Sequence, residues 1–100
     1  MPVVQHVPED RLFDLLLTQQ AGGNFAFSDM LVKWLGNRTQ KVRDAAAIHG
    51  DWVLTAVAVW LLEHEAKERS DEWSAAARKA RHWLLQHGAD MDIDGLMSDA

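Results

Sequence analysis

Apolar residues along this chain recur at steps of three and four, in five separate stretches. Leu12, Phe13, Leu16 and Leu17 make the first, between Pro8 and a stop at Gly22-Gly23, and the pattern runs to Gln20. Pro8 suits a first helical position, and Glu9 and Asp10 favour the positive end of the helix dipole. Ser28 is a good N-cap for a second helix, with Phe27 and Val32 placed as a hydrophobic staple and Gly36 as its end. Asn37 or Thr39 opens a third helix that reaches about His49, where Gly50 breaks it. Asp51 starts the fourth. Its residues from Trp52 to Leu62 are apolar on nearly every face, which predicts burial on most sides. Val53, Thr55, Val57 and Val59 also alternate as a strand would. The stretch continues to Glu68 without a turn signal, however, and that favours helix. Ser70 or Asp71 starts the fifth helix, in which Trp73, Ala76 or Ala77, Ala80, Trp83 or Leu84, and His87 mark an apolar stripe closed by Gly88. From about residue 89 the chain is polar and acidic, and is expected to be a flexible tail whose removal leaves folding unchanged. The pattern predicts an all-α fold, a bundle of about five helices forming a single domain over residues 1–100.

Tryptophan is the main aromatic of this core. The chain holds five Trp and no Tyr or Cys. The pentapeptide Trp-Leu-Leu-x-His occurs twice, at Trp60 to His64 and at Trp83 to His87, each near the end of a helical pattern. Trp60 and Trp83 lie on apolar stripes and are expected to be largely buried. Trp73 has Asp71 and Glu72 beside it in a first turn. It is expected to be the exposed tryptophan, available as an interface anchor.

Composition narrows the class. With 48% hydrophobic and 25% charged residues the chain is ordinary globular material, not a disordered one. Zero Cys excludes disulfides and thiolate metal sites and fits a reducing compartment. No apolar run approaches the roughly 20 residues that span a bilayer, and no signal peptide is visible. A cytoplasmic protein without a membrane partner is expected. Net charge is −5 and lopsided. Residues 1–50 carry five basic and five acidic side chains, and residues 51–100 carry five basic and ten acidic. A general polyanion binder is therefore disfavoured. A local basic segment survives, because Lys33, Arg38, Lys41 and Arg43 fall in a stretch without an acid.

That segment carries the strongest local motif. Two turns of helix, Gly36, a short polar turn and a helix led by Arg38, Gln40, Lys41 and Arg43 resemble a helix-turn-helix. The resemblance implies a second helix in the major groove, with Lys33, Arg38, Gln40, Lys41 and Arg43 contacting nucleic acid, Val42 buried, and Leu31 and Leu35 packing the first helix. Two departures stand out. Asn37 follows the turn glycine where the family has an apolar residue, and Val32 replaces a small one. Ordinary packed helices with a solvated basic face give the same pattern.

Other motifs fail on chemistry or arithmetic. Asp90-Met91-Asp92-Ile93-Asp94-Gly95 resembles the opening of an EF-hand loop, but the bidentate Glu at its twelfth position would fall past Ala100. Leu84 to Asp90 resembles the end of an ankyrin repeat, yet the two Trp-Leu-Leu segments are spaced too closely for one. His64 and Glu68 could share a helix face, but two ligands are too few for zinc. Pairs such as Glu63/Lys67 and Glu65/Arg69 have helix spacing and need no catalytic role. No nucleophile signature or phosphate loop occurs. The expectation is no enzyme, no cofactor and no metal.

A small, Cys-free, acidic helical chain without catalytic residues resembles a phage-encoded inhibitor of the anti-CRISPR type, in profile and not in any motif. The resemblance implies a partner that is a protein or ribonucleoprotein complex, with its nucleic-acid-binding surface occluded. Glu65, Glu68, Asp71, Glu72 and Trp73 are the residues placed to meet such a basic surface. Homodimerisation is compatible with the same features. DNA is a partner only under the helix-turn-helix alternative.

Overall fold

The computed structural model describes residues 11–87 and 93–98, and the chain is all-α. Six helices follow one another: α1 Arg11–Leu17, α2 Asp29–Leu35, α3 Thr39–His49, α4 Trp52–Glu65, α5 Ser70–Gln86 and α6 Ile93–Ser98. Turns of 3-10 helix at Gly36–Arg38 and Lys67–Arg69 join α2 to α3 and lead from α4 into α5. Among the described residues the alternation of Val53, Thr55, Val57 and Val59 produces no strand. All four side chains are buried on one continuous helix.

α4 is the centre of the molecule. It packs against α3, α5 and α6. Val53, Leu54, Val57, Ala58, Val59, Leu61 and Leu62 are all buried, so its nearly continuous apolar sequence is used on most sides. Thr55 is the one buried polar residue among those described. Its Oγ1 accepts from the Phe25 amide at 2.9 Å and donates to the Phe25 carbonyl at 3.3 Å, so no polar group is stranded. That pair clamps the loop after α1 onto α4. The Gln19 side-chain amide clamps the same loop onto α5, donating to the Gly23 and Ala76 carbonyls at 2.9 Å each.

Helix ends show where local signals hold. Ser28 caps α2, its Oγ accepting from the Leu31 amide at 3.2 Å. Gly36 ends α2 and Gly50 ends α3. Neither Asn37 nor Thr39 caps α3. The 3-10 turn runs straight into it, and Thr39 Oγ1 donates to the Gly36 carbonyl at 2.8 Å. α1 stops at Leu17, short of Gln20, because Thr18 turns its hydroxyl back to the Leu15 carbonyl at 2.7 Å. α4 stops at Glu65 and does not reach Glu68.

Of the acidic C-terminal segment, residues 93–98 are described and form α6; the rest of the expected tail lies outside the described residues. Ile93, Leu96 and Met97 have helical spacing, and α6 lays them on α4. Met97 is 2% exposed. Surrounding carboxylates masked this short stripe in the sequence. Met97→Ala is expected to cost about 2 kcal/mol. Chemical denaturation checks this, and an unchanged midpoint would restore the dispensable tail. The incomplete calcium-loop motif lies largely outside the described residues.

Candidate functional site

The two charge sets picked out by sequence meet each other in the fold. Arg38 Nη2 pairs with Glu65 Oε2 at 3.0 Å. The same guanidinium donates to the Leu35 and Trp34 carbonyls, at 3.2 and 3.1 Å, and lies 5.8 Å from the centre of the Trp60 ring. Arg38 therefore caps the C-terminus of α2 and ties it to α4. Gln40 donates to Asp44 at 2.9 Å, and Lys33 and Lys41 also have partners. Arg43 lies over an aromatic ring, that of Phe27, with its guanidinium 5.0 Å from the ring centre. Val42, Leu31 and Leu35 are buried, as the helix-turn-helix likeness implies. An ordinary bundle buries them equally.

The acidic set contracts in the same way. Glu65 is spent on Arg38. Glu72 forms a two-oxygen pair with Arg69, at 2.6 and 2.7 Å. Glu68 and Asp71 stay exposed, with no ion pair among the described residues. Glu63 pairs with Arg81 across α4 and α5, and Glu65 reaches back to α2, so neither makes the local helix pair its spacing suggests.

Trp73 is not the exposed tryptophan. It is 7% exposed, and its indole N–H donates to the Ala66 carbonyl at 2.7 Å. Asp71 and Glu72 point its turn towards water, but the next residue on the helix faces the core. Trp60 and Trp83 are half-buried, less covered than their apolar stripes suggest. The repeated pentapeptide builds the same unit at both sites. His64 stacks on Trp60 with ring centres 4.2 Å apart, and His87 on Trp83 at 3.8 Å. Each Nδ1 lies against the tryptophan's own carbonyl, at 3.0 and 2.8 Å. A carbonyl only accepts, so Nδ1 is the donor in both rings. These histidines finish helix ends. Among the described residues no three His, Asp or Glu side chains are grouped to hold a metal ion.

One groove was not visible in the sequence. Phe27, Ala46, Ala47 and Leu54 line it, together with Arg43 and Asp51, around a volume of about 320 Å³. It opens where Phe27, just before the α2 cap, meets α3 and the first turn of α4. Its residues span positions 27 to 54, so no local motif could have joined them. A separate surface feature is apolar. Phe13, Leu17, Phe27, Ile48 and Leu85 are all exposed. On α5, Arg78 and Lys79 are exposed without ion pairs among the described residues, so the second half of the chain is not uniformly acidic at its surface.

Comparison with protein-family models, curated proteins and solved structures finds no match to this chain. No helix among the described residues is long and apolar enough to cross a membrane.

Proposed function

We propose that this protein acts by binding another protein, or a ribonucleoprotein complex, without catalysing a reaction. The observation that carries the reading is the set of large apolar side chains left in water. Ile48 is 77% exposed and Leu85 83%, and Phe13 and Leu17 lie one turn apart on α1. Exposed apolar side chains that lie together, as Phe13 and Leu17 do, gain by burial against a partner. The anti-CRISPR-like form of the reading adds an acidic contact. Glu68 and Asp71, which form no ion pair among the described residues, would face a basic surface that otherwise holds nucleic acid.

The test is capture from a bacterial lysate by the immobilised protein, quantified by mass spectrometry. Leu17→Glu, Ile48→Glu and Leu85→Glu alter exposed positions and should leave the fold intact. At least one should reduce capture of a specific partner about tenfold. Glu68→Lys with Asp71→Lys should weaken it further if the partner surface is basic. Capture indifferent to every one of these changes would sink the reading.

A DNA-binding regulator is the second reading, favoured by the helix, turn and helix at 29–35, 36–38 and 39–49. The internal commitments of Arg38 and Gln40 count against it. A mobility shift with mixed-sequence duplex at low salt separates the two, since clear, salt-sensitive binding lost on neutralising Arg38, Lys41 and Arg43 supports DNA.

A further inference from the structure

Two unlike charges line the α3/α4 groove and do not neutralise each other. Arg43 and Asp51 form no ion pair, and neither charged group has a hydrogen-bonding partner among the described residues. The rest of the lining is apolar: Phe27, Ala46, Ala47 and Leu54. A ligand complementary to this set carries one negative and one positive charge on an apolar stem.

The details sharpen the match. The Arg43 guanidinium rests 5.0 Å from the Phe27 ring, which holds the cation in place before any ligand arrives. A planar guanidinium suits a carboxylate, which it can grip with two parallel hydrogen bonds. An aspartate suits an ammonium group. A space of about 320 Å³ is at the small end for ligand sites. It is too small for a folded element and sufficient for one extended side chain with a chain end.

We propose that this groove binds the C-terminal lysine of a polypeptide. The α-carboxylate meets Arg43, the methylene stem lies along Phe27, Ala46, Ala47 and Leu54, and the ammonium meets Asp51. The inference deepens the protein-binding reading by giving the partner a chemical signature.

The minimal probe is 6-aminohexanoic acid, which carries both charges on a methylene chain. Titration followed by amide resonances should move Ala46, Ala47 and Leu54, with a dissociation constant on the order of 1–10 mM for so small a ligand. Hexanoate and hexylamine each lack one charge and should bind about tenfold more weakly. Arg43→Gln should bring 6-aminohexanoic acid down to the hexylamine level, and Asp51→Asn to the hexanoate level. A pentapeptide ending in lysine should bind at least as well as the probe, and its C-terminal amide about tenfold less well. Three outcomes overturn the proposal: no shift at these amides up to about 50 mM, hexanoate binding equally, or the peptide amide matching the acid. None of them touches capture through Leu17, Ile48 or Leu85, so the two readings fail separately.

Discussion

Replacing Trp73 by Ala should be among the most damaging substitutions in the chain, at about 3–5 kcal/mol. Two losses combine. The indole is buried against α4 and leaves a large cavity when removed. Its N–H also holds the Ala66 carbonyl at 2.7 Å, at the point where α4 gives way to the 3-10 turn before α5. Ala66 has left helical geometry there, with φ −134° and ψ 24°. No glycine or proline makes this break. The Ala66 carbonyl accepts from the Arg69 amide at 2.9 Å as well as from the indole, so Trp73 supplies one of the two donors that set the corner. Thermal unfolding should show a drop of roughly 15 °C or more for a domain of this size. Trp73→Phe should recover much of the packing and none of the hydrogen bond. A melting point within a few degrees of the parent for Trp73→Ala would contradict the burial. Trp60→Ala and Trp83→Ala should cost less, because both side chains are only partly buried.

Gly23→Ala should cost about 3 kcal/mol or more, while its neighbour Gly22→Ala changes stability by less than about 0.5 kcal/mol. Gly23 has φ +107°, a conformation that side-chain-bearing residues avoid. A Cβ added there would sit 2.6 Å from the Lys79 carbonyl oxygen, which is α5 backbone and cannot turn aside. At Gly22 the nearest atoms to an added Cβ are at 3.6 Å, ordinary contact, and no positive φ applies. The pair is an internal control. Both residues precede the same buried Phe25, and only at Gly23 would a Cβ press on the α5 backbone. Denaturation midpoints for the two variants should separate clearly. Equal midpoints would mean that the loop does not press on α5 as described.

Sequence patterning made α1 to α5 legible because each is amphipathic or nearly apolar throughout, and α2 and α3 end at glycine. Ser28, Gly36 and Gly50 do what their chemistry suggests. Failures cluster where distant residues decide the outcome. The end of α4 depends on a donor seven residues further on. Arg38 and Glu65 are 27 positions apart, so a basic segment and an acidic one looked like separate binding surfaces although this pair joins them. Acidic neighbours hid α6, although Ile93, Leu96 and Met97 are spaced as any buried stripe is. The groove was illegible for a further reason. Its lining is unremarkable residue by residue, and only the approach of Phe27 to α3 gives Arg43 and Asp51 a shared space.

Three of the tryptophans serve as latches at successive corners. Trp34 donates to the Arg11 carbonyl at 3.1 Å, Trp52 to the His49 carbonyl at 2.8 Å and Trp73 to the Ala66 carbonyl. Each indole proton exchanges once its own hydrogen bond opens, faster at the two exposed corners and slowest at the buried Trp73. Followed one by one in deuterated buffer, these three protons give a clock for the α1/α2, α3/α4 and α4/α5 junctions separately. A partner that locks one face of the bundle would slow one clock and leave the others running.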